Sequence, residues 1–235
     1  MRREFTANIT HELKTPLTAI SGYAELIEHG MSGENTERFA SEIHKNAARL
    51  LTLINDILDI SRLETGKIHF AYEDIDIPSL CQQVIMTTTH NRREGVECVF
   101  ESSYETYTLR TDVQRLSQVL INLLTNANKF TEQGRITLSF EVLEKEGMVR
   151  FAVADTGCGI PPEKQAKVFD RFEKLDEFKQ GTGLGLAICR QIVMKVGGKI
   201  WVDGTYTSGS RFVFTHPIRP LEDGDAVVSV GSGMA

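Results

Sequence analysis

No run of about 18 uninterrupted apolar residues occurs in the chain, so nothing in it reads as a membrane-spanning helix. No signal peptide is visible either, because Arg2, Arg3 and Glu4 lead straight into a helical pattern. The four cysteines (Cys81, Cys98, Cys158 and Cys189) lie far apart and form no CxxC pair. That excludes zinc-ligand spacing, makes a disulfide framework unexpected at this size, and points to free thiols in a reducing compartment. Excess positive charge is missing as well. The net charge is -6, which leaves no electrostatic footprint for nucleic acid. No GK[ST] follows any of the glycine-rich stretches, which excludes a Walker loop.

What is present is ordinary globular material. The 235 residues are 41% hydrophobic and 25% charged, enough for one or two domains with a sizeable core. An amphipathic pattern already running at residue 1 reads as a piece of a longer protein, with any membrane span or sensor upstream.

Helical spacing of Ile9, Leu13, Leu17, Ile20, Ala24, Leu26 and Ile27 predicts a helix over 2–30, with Pro16 inside it as an expected kink. A turn is expected at 29–35. A second helix over 36–63 carries a near-heptad stripe that includes Phe39, Ile43, Leu50, Leu51, Ile54, Ile57 and Leu58. One hairpin cannot bury so wide a stripe, so two copies are expected to form a four-helix bundle, making residues 1–65 a homodimerisation domain. Monomeric behaviour in light scattering would count against this.

After Glu64-Thr65-Gly66-Lys67 the period changes. Strands are predicted at 68–72, 96–101, 107–110, 135–142, 148–154, 199–203 and 211–215. Helices are predicted at 77–90, with Pro78 in its first turn, at 113–128, capped by Asp112, and at 184–196. This order predicts an α/β sandwich over 66–220, a mixed sheet covered by helices on one face, with a flexible tail at 221–235.

Three clusters in this second part carry chemistry. Asn122 and Asn126 share a helix face, with Lys129 one turn on. Two amides and an ammonium suit a hydrated Mg²⁺ and phosphate oxygens, although an ordinary polar helix face gives the same pattern. Asp155-Thr156-Gly157-Cys158-Gly159-Ile160-Pro161 follows an apolar strand; its carboxylate could accept from an adenine amino group, or the stretch could be a capped tight turn. Gly181-Thr182-Gly183-Leu184-Gly185-Leu186 opens a helix, where exposed N–H groups bind anions; a plain glycine-rich loop is the alternative. Between the last two clusters, the segment 162–180, containing Phe169-Asp170-Arg171-Phe172, reads as a lid, or as a short surface helix with Phe169 and Phe172 packed into the core.

Taken in order, HELKTPL, NLLTNANKFT, DTGCGIP, FDRF and GTGLGL closely resemble the sensor histidine kinases of two-component systems, over nearly all of residues 1–218. The resemblance implies a dimerisation and phosphoacceptor hairpin followed by a Bergerat-type ATP-binding domain. It implies that His11 is phosphorylated from ATP, with Glu12 as the neighbouring acid that helps activate it. Thr15 resembles the residue used to dephosphorylate the partner. Asn122 and Asn126 match the motif that holds Mg²⁺ and phosphates, assisted by Lys129, with Phe130 lining the pocket. Asp155 resembles the adenine-reading aspartate, shaped by Gly157, Gly159 and Ile160. Arg171 and Phe172 match the lid; Thr182, Gly183, Leu184, Gly185 and Leu186 match the second glycine box. Thr10 and Gln180 depart from the commoner residues of the family. The implied partner is a response regulator receiver domain, and the implied place is the cytoplasmic portion of a bacterial membrane-bound sensor. A conformational ATPase of the same nucleotide fold and a degenerate kinase acting as a docking module are the alternatives.

Overall fold

In the computed structural model of the protein, residues 2–29, 34–66, 68–89, 94–173 and 181–219 are described. The chain divides into two compact units: residues 1–68 with 160–191, and residues 69–159 with 192–235.

The first unit is built on a hairpin of α1 (Arg2–Glu28) and α2 (Glu34–Glu64). The helix boundaries fall within two residues of those read from periodicity; residues 30–33 of the expected turn lie outside the described residues. α1 runs unbroken through Pro16, which is buried. A proline has no N–H, so the rung it would give to the Glu12 carbonyl is missing. Leu53, Ile60 and Leu63 of α2 are buried, and Tyr23 stacks on Phe39 with ring centroids 5.6 Å apart. Leu17, Leu51, Ile54 and Leu58 stay exposed at 54%, 62%, 39% and 47%. The single hairpin therefore leaves an apolar stripe in water, as its width predicted. The same unit holds the short α5 (Pro162–Gln165), a 3-10 turn (Lys167–Phe169) and the start of α6 (Gly185–Lys195).

The second unit has β1 (Tyr72–Asp76), α3 (Ile77–Thr89), β2 (Val96–Glu101), β3 (Thr108–Asp112), α4 (Val113–Phe130), β4 (Gly134–Leu143), β5 (Met148–Asp155), β6 (Ile200–Val202) and β7 (Arg211–Pro217). Five strands form one mixed sheet in the order β2-β4-β5-β7-β6, parallel between β2 and β4 and antiparallel elsewhere. α3 and α4 pack on it. α4 buries Leu116, Val119, Leu120, Leu123, Leu124 and Ala127, a stripe at spacings of three and four. Facing it, Phe151 and Phe214 stack 4.8 Å apart in the sheet's inner layer, both at most 1% exposed. Each such buried apolar side chain contributes roughly 1.5–3 kcal/mol of transfer free energy.

One expected strand is displaced. Residues 68–71 are not in a strand; β1 lies at Tyr72–Asp76 and pairs antiparallel with β3 as a separate two-stranded sheet. Alternation in 68–72 was outweighed by side-chain capping. Ala71 donates its N–H to Asp112 Oδ2 at 3.0 Å, and Asp76 ends β1 by accepting from the Ser79 N–H, the Ser79 hydroxyl and the Tyr107 N–H. Asp112 also caps α4 as predicted, its Oδ1 accepting from the Arg115 N–H at 3.0 Å.

β3 and β7 are tied by a buried histidine. His216 Nδ1 lies 2.7 Å from the Pro217 carbonyl, which can only accept, so Nδ1 carries the proton. Nε2 then accepts from the Thr111 hydroxyl at 2.9 Å. Burial holds the His216 pKa below its usual 6.5, against the opposing Pro217 bond. As pH falls below about 6.5 the unfolded chain takes up a proton that the folded chain refuses, so stability declines. The denaturant midpoint of wild type is expected to fall more between pH 7 and pH 5 than that of His216→Gln, which does not titrate. Equal slopes would remove His216 from the pH response.

Candidate functional site

On the hairpin, His11 is exposed, while Glu12 is 17% exposed at the side chain and turned towards α2. Successive helical residues are about 100° apart, so the two groups cannot share a face. Glu12 Oε2 meets Arg49 Nη2 at 3.4 Å across the hairpin, and the Thr15 hydroxyl, one turn from His11, donates to the His11 carbonyl at 3.2 Å.

Within the same unit, the residues expected to form a lid are engaged by the hairpin. Arg171 pairs with Glu64, and its guanidinium lies 5.2 Å from the centre of the Phe5 ring. Phe172 is a non-glycine residue at φ 63, with its ring 5.7 Å from Phe5. Its N–H donates to the Gly183 carbonyl at 2.8 Å. Gly183 itself has φ +71, and a Cβ there would lie 2.8 Å from the Phe172 Cα, so only glycine fits. The Thr182 hydroxyl donates to Asp56 Oδ2 at 2.8 Å and accepts from the Leu184 N–H at 3.2 Å. Burial raises the Asp56 pKa, opposed by the Thr182 bond and assisted by Asp59. Gly185 and Leu186 form the first turn of α6. Ile160 is half-buried, and its carbonyl accepts from the Gln165 amide at 3.1 Å. Phe169 is buried, while Phe172 is not.

In the second unit, α4 places Asn122, Asn126, Lys129 and Phe130 half-buried, flanking the stripe that α4 buries. Lys129 Nζ lies 5.0 Å from the centre of the Phe130 ring. The loop after β5 comes up against the end of this helix: a Cβ on Gly157 would lie 2.5 Å from the Phe130 carbonyl oxygen and 2.9 Å from Asp155 Oδ1. Asp155 is 2% exposed. Its Oδ1 accepts from the Gly157 N–H at 2.8 Å and the Ser210 N–H at 3.2 Å, and the Ser210 side chain bonds to the carboxylate as well. Burial nevertheless outweighs these bonds and raises the Asp155 pKa. A carboxylate offers about four lone-pair sites, so this one can still receive a donor such as an exocyclic amino group. Gly159 has φ +73 and passes close to Gly209.

Arg49, Asp56, Glu64 and Ser210 were not singled out by motif. Ser210 follows a glycine at the start of a strand, the one local hint among them. Among the described residues, no group of three or more His, Cys, Asp or Glu could hold a metal, and no helix is long and apolar enough to cross a membrane. None of the four cysteines is in a disulfide. Cys81 is buried, and that burial pushes its thiol up to about 12.

Residues 1–66 match the family described as "His Kinase A (phospho-acceptor) domain", and residues 111–220 match "Histidine kinase-, DNA gyrase B-, and HSP90-like ATPase". The chain is similar to sensor histidine kinase WalK of Bacillus subtilis (strain 168), 34% identical over 95% of this chain and 38% of that protein. It therefore spans well under half the length of this relative. Among solved structures it resembles full-length ShkA in complex with AMPPNP (TM-score 0.70, 34% identity, 93% of this chain and 46% of that one). It also resembles histidine kinase ThkA in complex with response regulator protein TrrA (TM-score 0.75, 29% identity, 92% of this chain and 61% of that one).

Proposed function

The chain belongs to the histidine kinases, and from that premise we propose that it is an ATP-dependent protein-histidine kinase that phosphorylates its own His11 and passes the phosphoryl group to an aspartate of a response regulator. The observation that carries this reading is the pairing, in one chain, of an exposed helical histidine beside an arginine-held carboxylate with a buried, glycine-lined aspartate. Residues 1–65 form the dimerisation and phosphotransfer domain and residues 66–220 the catalytic domain; the tail expected at 221–235 lies outside the described residues. The exposed stripe of Leu17, Leu51, Ile54 and Leu58 supports a homodimer closed by a second hairpin. The fragment acts as the cytoplasmic portion of a longer sensor.

Asp155 accepts from the adenine amino group, with Gly157, Gly159 and Ile160 shaping the base pocket and Phe130 lining it. The glycine box of Thr182, Gly183, Leu184, Gly185 and Leu186 serves the phosphates, Lys129 assists the asparagines, and Arg171 and Phe172 belong to the lid. Mg²⁺ fits this donor set. Asn126 and Asn122 offer neutral amide oxygens on one half-buried face, suited to a hard cation that keeps most of its waters and shares phosphate oxygens. When bound, the metal supplies positive charge against the phosphates. His11, neutral, presents a ring nitrogen to the γ-phosphorus: an N–P bond forms, the bond to the bridging oxygen breaks, and ADP leaves with the electron pair. Glu12, held by Arg49, is the neighbouring acid that helps activate the histidine. Thr15 serves dephosphorylation of the partner.

With γ-labelled ATP and Mg²⁺, the protein is expected to become labelled in an acid-labile, base-stable bond, as a phosphoramidate requires. ATP turnover without labelled protein would favour the conformational ATPase instead.

A further inference from the structure

We propose that Thr156 is a positioning residue that sets base selectivity by tying the adenine-reading loop to the segment leaving α4, an inference that rests on the nucleotide-binding role given to Asp155. The last pair of the β4–β5 ladder is Ile136 with Asp155. One residue further, the Thr156 N–H donates to the Arg135 carbonyl at 3.1 Å. The return bond comes from a side chain: the Arg135 N–H donates to Thr156 Oγ1 at 3.0 Å. The hydroxyl then spends its own proton on the Gln133 carbonyl at 3.3 Å. One hydroxyl thus both accepts and donates, to Arg135 and Gln133 at the entry of β4.

The surrounding glycines show how closely these segments are fitted. Gly134 has φ +109, and the space a Cβ would need there is filled by the Thr156 hydroxyl. On the other side of Thr156, Gly157 rests against the Phe130 carbonyl. Asp155, which reads the base, and Gly157, which donates to its carboxylate, are the two chain neighbours of Thr156. Fixing residue 156 therefore fixes the direction of the carboxylate relative to Phe130 and the asparagine-bearing helix. Thr156 is itself exposed and need not touch the nucleotide. A strand end without this hydroxyl would leave the loop free to adjust, and a loop that adjusts discriminates poorly between an amino group and a carbonyl on the base.

The test is calorimetric binding of ATP and of GTP, both with Mg²⁺, to wild type, Thr156→Val, Thr156→Ala and Thr156→Ser, with a thermal melt of each. Thr156→Val and Thr156→Ala are expected to weaken ATP binding about five- to tenfold, the scale of one or two lost hydrogen bonds. GTP binding should change less, so the ATP-over-GTP preference falls, and Thr156→Ser should restore both values to within about twofold of wild type. A wild-type preference in the valine and alanine variants overturns the proposal. So does loss of folding in both, which would give Thr156 a purely structural role. Failure of wild type to bind ATP would instead sink the nucleotide reading beneath it.

Discussion

His11→Gln is expected to take up no acid-labile label from γ-labelled ATP while binding ATP within about twofold of wild type. Glutamine keeps a polar side chain of similar reach, but its amide nitrogen has its lone pair delocalised and cannot attack phosphorus. His11 is exposed on α1, so the replacement should leave stability within about 0.5 kcal/mol of wild type. The expected loss is complete because the glutamine amide cannot replace the imidazole as nucleophile. Glu12, the next residue, faces α2 and pairs with Arg49. Label surviving at wild-type level in the variant would move the phosphoacceptor elsewhere. Lost label accompanied by lost ATP binding would show damage beyond the histidine.

Asp155→Asn should separate binding from stability. The amide oxygen can keep accepting from the Gly157 and Ser210 N–H groups, but an NH₂ then stands where the base requires an acceptor. ATP affinity is expected to fall about 10²- to 10³-fold, a charged hydrogen bond lost and a donor set against a donor. Stability should move the other way. The folded pKa of Asp155 is raised, chiefly by burial. Its contribution to stability is full below the unfolded carboxyl value and is lost as pH rises through the folded value, so at pH 7 the buried charge is a cost. A neutral isostere removes that cost, and the melting temperature should hold or rise. Isothermal calorimetry and a thermal melt at pH 7 check the two halves. Wild-type affinity in the variant would overturn the adenine-reading role.

Much of this was legible because the relevant physics is local. α4 announced itself through an apolar stripe at spacings of three and four and through Asp112 at its cap, and both hairpin helices were readable from periodicity alone. β1 was not legible in its place. Tyr72-Glu73-Asp74-Ile75-Asp76 is polar, and it is a strand because β3 pairs with it and Asp76 caps the start of α3. His11, Asn126, Asp155 and the glycine boxes stood out as residue types in a known order. The residues that hold them did not. Arg49 reaches Glu12 across 37 positions, Ser210 reaches Asp155 across 55, and Asp56 reaches Thr182 across 126. No window of sequence contains such a pair, and a lone arginine or serine carries no sign of its partner.

The packing around Asp155 has a consequence for how such a loop can change. At Gly134, Gly157 and Gly209 an added methyl would run into a neighbouring hydroxyl or main-chain atom. No single substitution at these points can reshape the pocket; it can only push one piece of backbone off another. Substitution at these three glycines can therefore abolish this pocket but not retune it, and a pocket rebuilt to prefer another base would need the strand end, the helix exit and the β7 entry to be replaced together. For anyone grafting or redesigning the domain, the unit of exchange is that set of three segments.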